Sequence, residues 1–222
     1  MQYQVEKNLK QIQEKIVPYK PNIIAVTKYF GCDAIVEAFN AGIRDFAESR
    51  VIEAAEKIEN LPKDIRENST FHFIGHLQSN KAKKAVQTFD IIHSVDSIKL
   101  AEKVSNYALE AGKIQKILLQ LNIAREAQKS GFEKEQLLES FPQIANLKGL
   151  KILGLMCMTP LGETPEKIRS YFQMVRETRD LISGEYGCSL PELSMGMSQD
   201  YDIAAQEGAT MLRIGRRLFS FS

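Results

Sequence analysis

The sequence predicts an α/β protein, a single (β/α)8 barrel of the TIM type with an extra helix at its N-terminus. Two observations carry this prediction. Eight short apolar runs alternate with segments of helical periodicity along the chain, and this alternation is typical of a closed parallel barrel. No stretch rich in proline, glycine or serine divides the sequence, so we expect residues 1–222 to form one domain.

The strand-like runs and the helical segments follow each other in a regular order. The runs are Ile23–Tyr29, Asp45–Glu48, Thr70–His76, Ile91–Val95, Lys116–Ile123, Leu150–Met158, Glu192–Met197 and Met211–Leu218. Helical spacing of apolar residues is clear in Ala34–Asn40, Val51–Ile58, Ser97–Glu110 and Thr164–Ser183. An open doubly wound sheet is the main alternative, and eight runs in 222 residues favour the barrel.

The first segment, about Tyr3 to Val17, predicts a helix that precedes the first strand. Pro18 and Pro21 end it. The sequence stops just past the eighth strand-like run, so we expect this helix to cover the place of a last barrel helix. Its apolar residues share one helix face and are Val5, Leu9, Ile12 and Ile16.

The composition argues against several classes of protein. The net charge is +1 and the pI is about 7.7, so there is no basic excess for a nucleic acid. Cys32, Cys157 and Cys188 are far apart in the sequence, which predicts reduced thiols and a cytoplasmic protein. No apolar stretch has the length of a membrane span. The polar N-terminus resembles neither a signal peptide nor a transit peptide.

Lys28 is the first candidate site residue. It lies near the end of the first strand-like run, and active sites of barrels lie at the C-terminal ends of the strands. By alternation its side chain shares a face with Ile24 and Val26. Burial there would disfavour the charged amine and lower its pKa, which prepares the amine to attack a carbonyl. A lysine in an ion pair or with its ammonium in solvent is the competing interpretation.

Residues near the ends of the last two strands would complete a site around Lys28. Gly215 allows a ligand to approach the backbone, and barrels often bind phosphate after strands seven and eight. Ser198 either caps the next helix or donates to that phosphate. Because strand eight of a closed barrel pairs with strand one, Arg213 would lie near the same amine. This arrangement suits a phosphorylated aldehyde.

The histidines predict no metal site. His72 and His76 are four residues apart on one strand-like run, about 13 Å along an extended chain, so they cannot share an ion. His76 is expected to line the pocket because it ends the run. His72 and His93 are expected to be structural, hydrogen-bonded histidines.

Five motifs resemble the YggS/PROSC family, whose members are called pyridoxal phosphate homeostasis proteins. The motifs follow the family's order, and the resemblance covers essentially the whole chain. They are Ile24-Ala-Val-Thr-Lys28, Phe46-Ala-Glu-Ser-Arg50, His72-Phe-Ile-Gly-His-Leu-Gln-Ser-Asn-Lys81, Leu193-Ser-Met-Gly-Met-Ser198 and Arg213-Ile-Gly-Arg216.

The resemblance implies a monomeric barrel similar to the N-terminal domain of alanine racemase that binds pyridoxal 5′-phosphate (PLP). By the family pattern, Lys28 forms a Schiff base with PLP. Ser198 and the backbone of Gly215 and Arg216 hold the phosphate, and Arg213 faces the pyridine nitrogen. The implied wall residues are Ile74, His76 and Met156.

The chain departs from the family pattern at two candidate positions. Ser49 replaces an asparagine that usually lies near the cofactor, and Arg216 replaces a small hydroxyl residue. Arg216 retains its backbone N–H as a phosphate donor, and its side chain would reach the phosphate or solvent.

The function implied by the resemblance is PLP binding and vitamin B6 homeostasis without catalytic turnover, with PLP-dependent apoenzymes or regulatory proteins as candidate recipients. A cationic Arg213 beside the pyridine nitrogen weakens the ring as an electron sink, and the barrel leaves no residues for a second domain that closes the site. The alternative is a PLP-dependent amino-acid racemase, which needs an acid–base group opposite Lys28; Tyr201 is a better candidate than Tyr29. A cofactor-free Schiff-base aldolase on the same fold is a third hypothesis.

Overall fold

A closed barrel of eight parallel strands forms the centre of the protein, in a computed structural model that describes residues 4–124 and 130–220. Neighbouring strands follow sequence order, and β1 pairs with β8, which confirms the barrel and excludes the open sheet. The strands are β1 Asn22–Val26, β2 Asp45–Glu48, β3 Thr70–Phe73, β4 Ile91–Val95, β5 Gln115–Leu121, β6 Leu150–Cys157, β7 Glu192–Ser194 and β8 Met211–Ile214.

Helices surround the barrel, and the four segments with clear helical spacing are all helical. The helices are α1 Val5–Lys15, α2 Cys32–Asn40, α3 Val51–Glu59, α4 Lys63–Glu67, α5 Ala82–Thr88, α6 Ile98–Glu110, α7 Lys134–Ala145, α8 Pro165–Tyr186 and α9 Tyr201–Gln206. Their apolar faces pack on the outer side of the strands in one large core. A smaller apolar cluster, built around residues such as Ile24, Leu118 and Met156, fills the barrel interior.

Several strands end earlier than the apolar runs predict. β1 ends at Val26, and the carbonyl of Thr27 then accepts a hydrogen bond from the backbone N–H of Phe30 at 2.9 Å. This turn removes Lys28 from the strand. The apolar run continues past the residue at which the backbone stops pairing with the adjacent strands, so the sequence overestimates the length of the strand.

The N-terminal helix covers the barrel beside the C-terminal segment, as expected. The Asn8 side-chain amide donates to the carbonyl oxygens of Leu218 at 3.0 Å and Ser220 at 3.1 Å. The Lys15 ammonium lies 2.6 Å from the Asp202 carboxylate of α9. The apolar face of α1 is buried, and Ile12 is fully buried. Residue 3, the expected first residue of this helix, lies outside the described residues.

Within residues 4–124 and 130–220, no helix combines the length and apolarity needed to cross a bilayer. Cys32, Cys157 and Cys188 are free thiols. The same part of the chain contains no group of three or more histidine, cysteine, aspartate or glutamate side chains able to hold a metal ion.

We expect Ile12→Ala to destabilise the protein by about 2–5 kcal/mol, because it leaves a cavity under α1. Gln11→Ala changes an exposed residue of the same helix, and we expect a change within about 0.5 kcal/mol. Urea unfolding followed by circular dichroism measures both. Equal, small effects would show that α1 adds little to the stability of the barrel.

Candidate functional site

A cavity of about 370 Å³ lies at the C-terminal ends of the strands. We call it the mouth cavity. It receives side chains that follow β1, β3, β6, β7 and β8, which is the end of the barrel where active sites form. Six of the residues selected from the sequence line it: Lys28, Ile74, Ser198, Arg213, Gly215 and Arg216.

The Lys28 side chain is exposed, so of the two interpretations the structure agrees with a lysine whose ammonium reaches solvent and not with a buried amine. Its backbone lies in the turn after β1, where the side chain extends along the cavity wall instead of into the barrel core. The Nζ atom lies 5.1 Å from the centroid of the Tyr29 ring. The lysine and this tyrosine therefore lie together in the same part of the cavity.

A buried ion pair fixes the chain immediately before Lys28. The Lys57 ammonium of α3 lies 2.7 Å from the Glu48 carboxylate and donates to the Thr27 carbonyl at 2.9 Å. The Thr27 hydroxyl donates to the same carboxylate at 2.8 Å. The side chains of Glu48 and Lys57 are only 5% and 15% exposed. Lys28 thus combines an accessible amine with an anchored backbone.

The loops after β7 and β8 meet beside the turn that carries Lys28. The backbone N–H of Arg217 donates to the Ser198 hydroxyl at 3.4 Å, which joins the two loops. Ser198 is not the cap of the next helix, because α9 begins at Tyr201 and its N-cap is Asp200. A Cβ atom at Gly215 would lie 3.2 Å from the carbonyl oxygen of Val26, so a side chain there would crowd β1.

Arg213 lines the mouth cavity from the barrel interior and is 3% exposed. Burial lowers the pKa of its guanidinium, while the Cys157 thiol and the Asp200 carboxylate act in the opposite direction. The guanidinium donates to the Ser194 hydroxyl at 2.6 Å and to the Cys157 carbonyl at 2.8 Å. These bonds hold the charged group at the floor of the cavity.

Three expected site residues do not line the mouth cavity. Ser49 and His76 line a neighbouring cavity of about 220 Å³ between the ends of β2 and β3. The His76 ring contacts the Ser130 hydroxyl at 2.9 Å and the Asp96 carboxylate at 3.3 Å, so it faces the loops after β4 and β5. Met156 is fully buried in the barrel interior, beneath Ile74.

Other lining residues were not selected from the sequence. Tyr29, Met158 and Leu161 are exposed apolar side chains at the rim. The Thr159 hydroxyl donates to Asp200 Oδ2 at 2.5 Å, and the backbone N–H of Met197 donates to Asp200 Oδ1 at 2.6 Å. In the sequence, these lining residues share only a position just after a strand. Many other loop residues have the same position, so the sequence does not single these out.

The tyrosines are placed differently from the expectation. Tyr29, the less favoured candidate, lines the mouth cavity next to Lys28. Tyr201 does not line it: its buried ring lies near Lys15 of α1 and Arg217. The preferred second acid–base group of a racemase is therefore not at this cavity.

We expect Lys57→Met to destabilise the protein by about 3 kcal/mol, because it leaves the Glu48 carboxylate buried without its counter-ion. The double variant Lys57→Met/Glu48→Gln should regain part of that loss. Lys63→Met removes a partner from the exposed pair with Glu67, and we expect less than about 0.5 kcal/mol. Urea unfolding measures all three; similar values for Lys57→Met and Lys63→Met would contradict the anchoring role.

Comparisons with known proteins agree with this geometry. The sequence model of the family "Alanine racemase, N-terminal domain" matches residues 2–222. The pyridoxal phosphate homeostasis protein of Synechocystis is 44% identical over 203 residues, which are 91% of this chain and 92% of that protein.

Solved structures of the same family and of the same fold also resemble this chain. PipY of Synechococcus elongatus is 38% identical over 98% of this chain and all of its own; TM-scores are 0.90 without PLP and 0.88 with PLP bound. Alanine racemase of Clostridium difficile, 14% identical, shares the fold with a TM-score of 0.78, and the match covers 98% of this chain and 60% of the racemase. Close relatives are thus named homeostasis proteins, whereas enzymes occur among distant relatives of the fold. The chain belongs to the pyridoxal phosphate homeostasis protein family, within the alanine racemase N-terminal domain family.

Proposed function

We propose that this protein binds PLP in the mouth cavity and takes part in PLP homeostasis. The observation that carries the proposal is the meeting of three chemical groups from neighbouring strands around one cavity of about 370 Å³. They are the Lys28 amine, the Ser198 hydroxyl and the Arg213 guanidinium. The relatives' names and the PLP-bound structure of PipY support the same cofactor.

The residues present fit the chemical groups of PLP. An aldehyde requires an amine, a phosphate requires hydrogen-bond donors, and an aromatic ring requires apolar walls with a polar group near its nitrogen. The cavity supplies these from Lys28, Ser198, Arg213 and the apolar Ile74 and Met158. Its volume lies in the range of small-molecule sites, about 300–1,000 Å³.

We assign the aldehyde to Lys28. This lysine would hold PLP as a Schiff base, formed from amine and aldehyde with loss of one water. Its side chain is exposed and therefore accessible to PLP from solvent. The buried Lys57–Glu48 pair keeps the backbone of the preceding residue in place, which reduces the backbone entropy lost when PLP binds.

We assign the phosphate to the loops after β7 and β8. Ser198 would donate its hydroxyl, and the backbone N–H groups of Gly215 and Arg216 would donate beside it. The exposed Arg216 side chain would add a positive charge at the rim, and charge-assisted bonds to phosphate are stronger than neutral ones. This positive charge would compensate for the missing small hydroxyl at that position.

Arg213 would lie beside the pyridine nitrogen and keep that nitrogen unprotonated, because a nearby cation disfavours a second positive charge. PLP supplies an electron sink when bound, and this placement weakens it. A weakened electron sink is compatible with reversible storage of PLP, although racemases share this arginine.

The described residues of the cavity also lack the arrangement that racemisation needs. Two acid–base groups must face each other across the substrate carbon, whereas Lys28 and Tyr29 lie together, 5.1 Å from ammonium to ring centroid. Both oxygens of the lining carboxylate, Asp200, already accept hydrogen bonds from Thr159 and Met197. A non-catalytic PLP-binding protein is therefore preferred over the racemase. We further propose a cytoplasmic monomer of one domain, residues 1–222, that passes PLP to apoenzymes or regulatory proteins.

We expect the purified protein to show a visible absorbance band after addition of PLP, and Lys28→Ala to show none, because only an amine at this position forms the Schiff base. Lys99→Ala, which changes an exposed lysine of α6 away from the mouth cavity, is the control and should keep the band. Borohydride reduction followed by peptide mass spectrometry locates the modified residue. Equal bands in all three proteins would place the attachment elsewhere.

We expect no interconversion of D- and L-alanine by the PLP-loaded protein above the rate of the loaded Lys28→Ala variant. The reason is the absence of an acid–base group facing Lys28 among the described lining residues. Chiral chromatography after long incubation at high protein concentration measures it. Steady turnover that disappears in Tyr29→Phe would favour the racemase instead.

A further inference from the structure

A chain of polar side chains crosses the interior of the barrel, which is otherwise apolar. It starts at Asp45, at the beginning of β2, and passes through His72 of β3, His93 of β4 and Ser194 of β7 to Arg213 of β8. The two imidazoles and the serine are fully buried. Asp45 lies at the N-terminal end of the barrel and its side chain is 20% exposed. The chain thus connects the two ends of the barrel.

Every link in this chain has the length of a hydrogen bond. Asp45 Oδ1 lies 2.9 Å from His72 Nε2, and His72 Nδ1 lies 2.8 Å from His93 Nε2. His93 Nδ1 lies 2.9 Å from Ser194 Oγ, which accepts from Arg213 Nη1 at 2.6 Å. Both nitrogens of each ring are therefore engaged, which buried polar groups require.

The guanidinium end sets the direction of the hydrogen bonds. Arg213 can only donate, so Ser194 Oγ accepts from it and must place its own proton on another acceptor. The partner in position is His93 Nδ1. Burial, together with the charge of Arg213, holds the pKa of His93 well below its usual value, so this ring is neutral. It then carries its proton on Nε2 and donates to His72 Nδ1.

The carboxylate end requires the same direction. Burial raises the pKa of Asp45, but hydrogen bonds from His72 and Asn22 outweigh it, so the pKa is lowered and the group is ionised at neutral pH. An ionised carboxylate can only accept, so His72 Nε2 carries a proton. Because His72 Nδ1 accepts from His93, this ring is also neutral. The two ends thus demand one order: arginine to serine to histidine to histidine to aspartate.

This order matters for the charge of Arg213. The Asp200 carboxylate favours the charged form of Arg213 from a distance, but no carboxylate forms a direct ion pair with Arg213 among the described residues, and a buried charge is costly without further compensation. In the required order, every hydroxyl and imidazole dipole turns its negative end towards the guanidinium. Aligned hydrogen bonds polarise one another, so the Asp45 carboxylate stabilises the distant guanidinium through the chain.

We propose that Asp45, His72, His93 and Ser194 are positioning residues for Arg213, forming a hydrogen-bond chain of fixed direction that holds its guanidinium, charged and oriented, against the floor of the mouth cavity. The role assigned to Arg213 itself rests on the proposed PLP function. The order of protons in the chain does not depend on that function and can be measured by itself.

The first test reads the imidazole protons by nitrogen-15 NMR of the protein at neutral pH without added PLP. We expect both His72 and His93 as neutral rings protonated on Nε2. In Asp45→Asn the guanidinium end still sets the order and the amide oxygen can accept from His72 Nε2, so we expect both rings to stay protonated on Nε2 and only the His72 Nε2 signal to shift, because its acceptor is no longer charged. Asp64→Asn, an exposed aspartate of α4, is the control. A ring protonated on Nδ1 in the unmodified protein would overturn the proposal.

The second test measures PLP affinity by absorbance titration. Ser194→Ala removes one of the two acceptors of Arg213 and leaves the Cys157 carbonyl, and we expect PLP to bind about tenfold more weakly, as for the loss of one hydrogen bond to a charged group. Ser94→Ala is the matched control: Ser94 is a buried serine of β4 whose hydroxyl has no hydrogen-bond partner among the described residues. We expect its affinity to be unchanged. Asp45→Asn, far from the cavity, should weaken binding about threefold, because the chain is no longer polarised by a negative charge at its far end.

The two tests separate the possible failures. If the unmodified protein binds no PLP, the proposed function fails, and the NMR result alone decides the proton order. If it binds PLP and neither Ser194→Ala nor Asp45→Asn weakens binding relative to its control, the chain does not position Arg213. If Ser194→Ala does not fold, Asp45→Asn against Asp64→Asn still decides.

Discussion

Closure of the barrel between β1 and β8 is the constraint on which the rest of the molecule depends. Four residue pairs set its register, from Asn22 opposite Met211 to Ala25 opposite Ile214. Residues that lie almost at opposite ends of the sequence become neighbours there, so the turn that carries Lys28 shares a cavity with Arg213 and Gly215. A slip in this register would turn inward-facing side chains outward and separate the amine from the guanidinium.

The barrel interior has an apolar part and a polar part, and both affect the stability of the protein. One part is apolar, around Ile24, Leu118 and Met156, and contributes the burial that stabilises a closed sheet. The other part contains His72, His93, Ser194 and Arg213. Their desolvation costs free energy unless every polar atom finds a partner. The hydrogen bonds along that chain meet this requirement. Stability and the electrostatics of the mouth cavity therefore depend on the same side chains.

Lys28 and Arg213 represent opposite ways of placing a charged group. Lys28 is exposed, and its position depends on the Lys57–Glu48 pair that anchors Thr27 next to it. Arg213 is buried, and its position depends on bonds to its own guanidinium. An aldehyde bound to an exposed amine can exchange with solvent, whereas a fixed guanidinium keeps the geometry of the cavity floor constant. This combination suits a protein that takes up and releases an aldehyde.

The sequence by itself determined the eight strands, the covering N-terminal helix and the kinds of group at the site, because periodicity, helix breaks and residue type are local properties. It also selected Lys28, Ser198 and Arg213 by their positions after or within strands. Only the tertiary structure decided which side chains share a cavity: Ser49 and His76 lie in the neighbouring one. It also decided the exposure of the lysine and the bond between His93 and Ser194, 101 residues apart. Such contacts depend on how the strands close around a common interior, which no local pattern records.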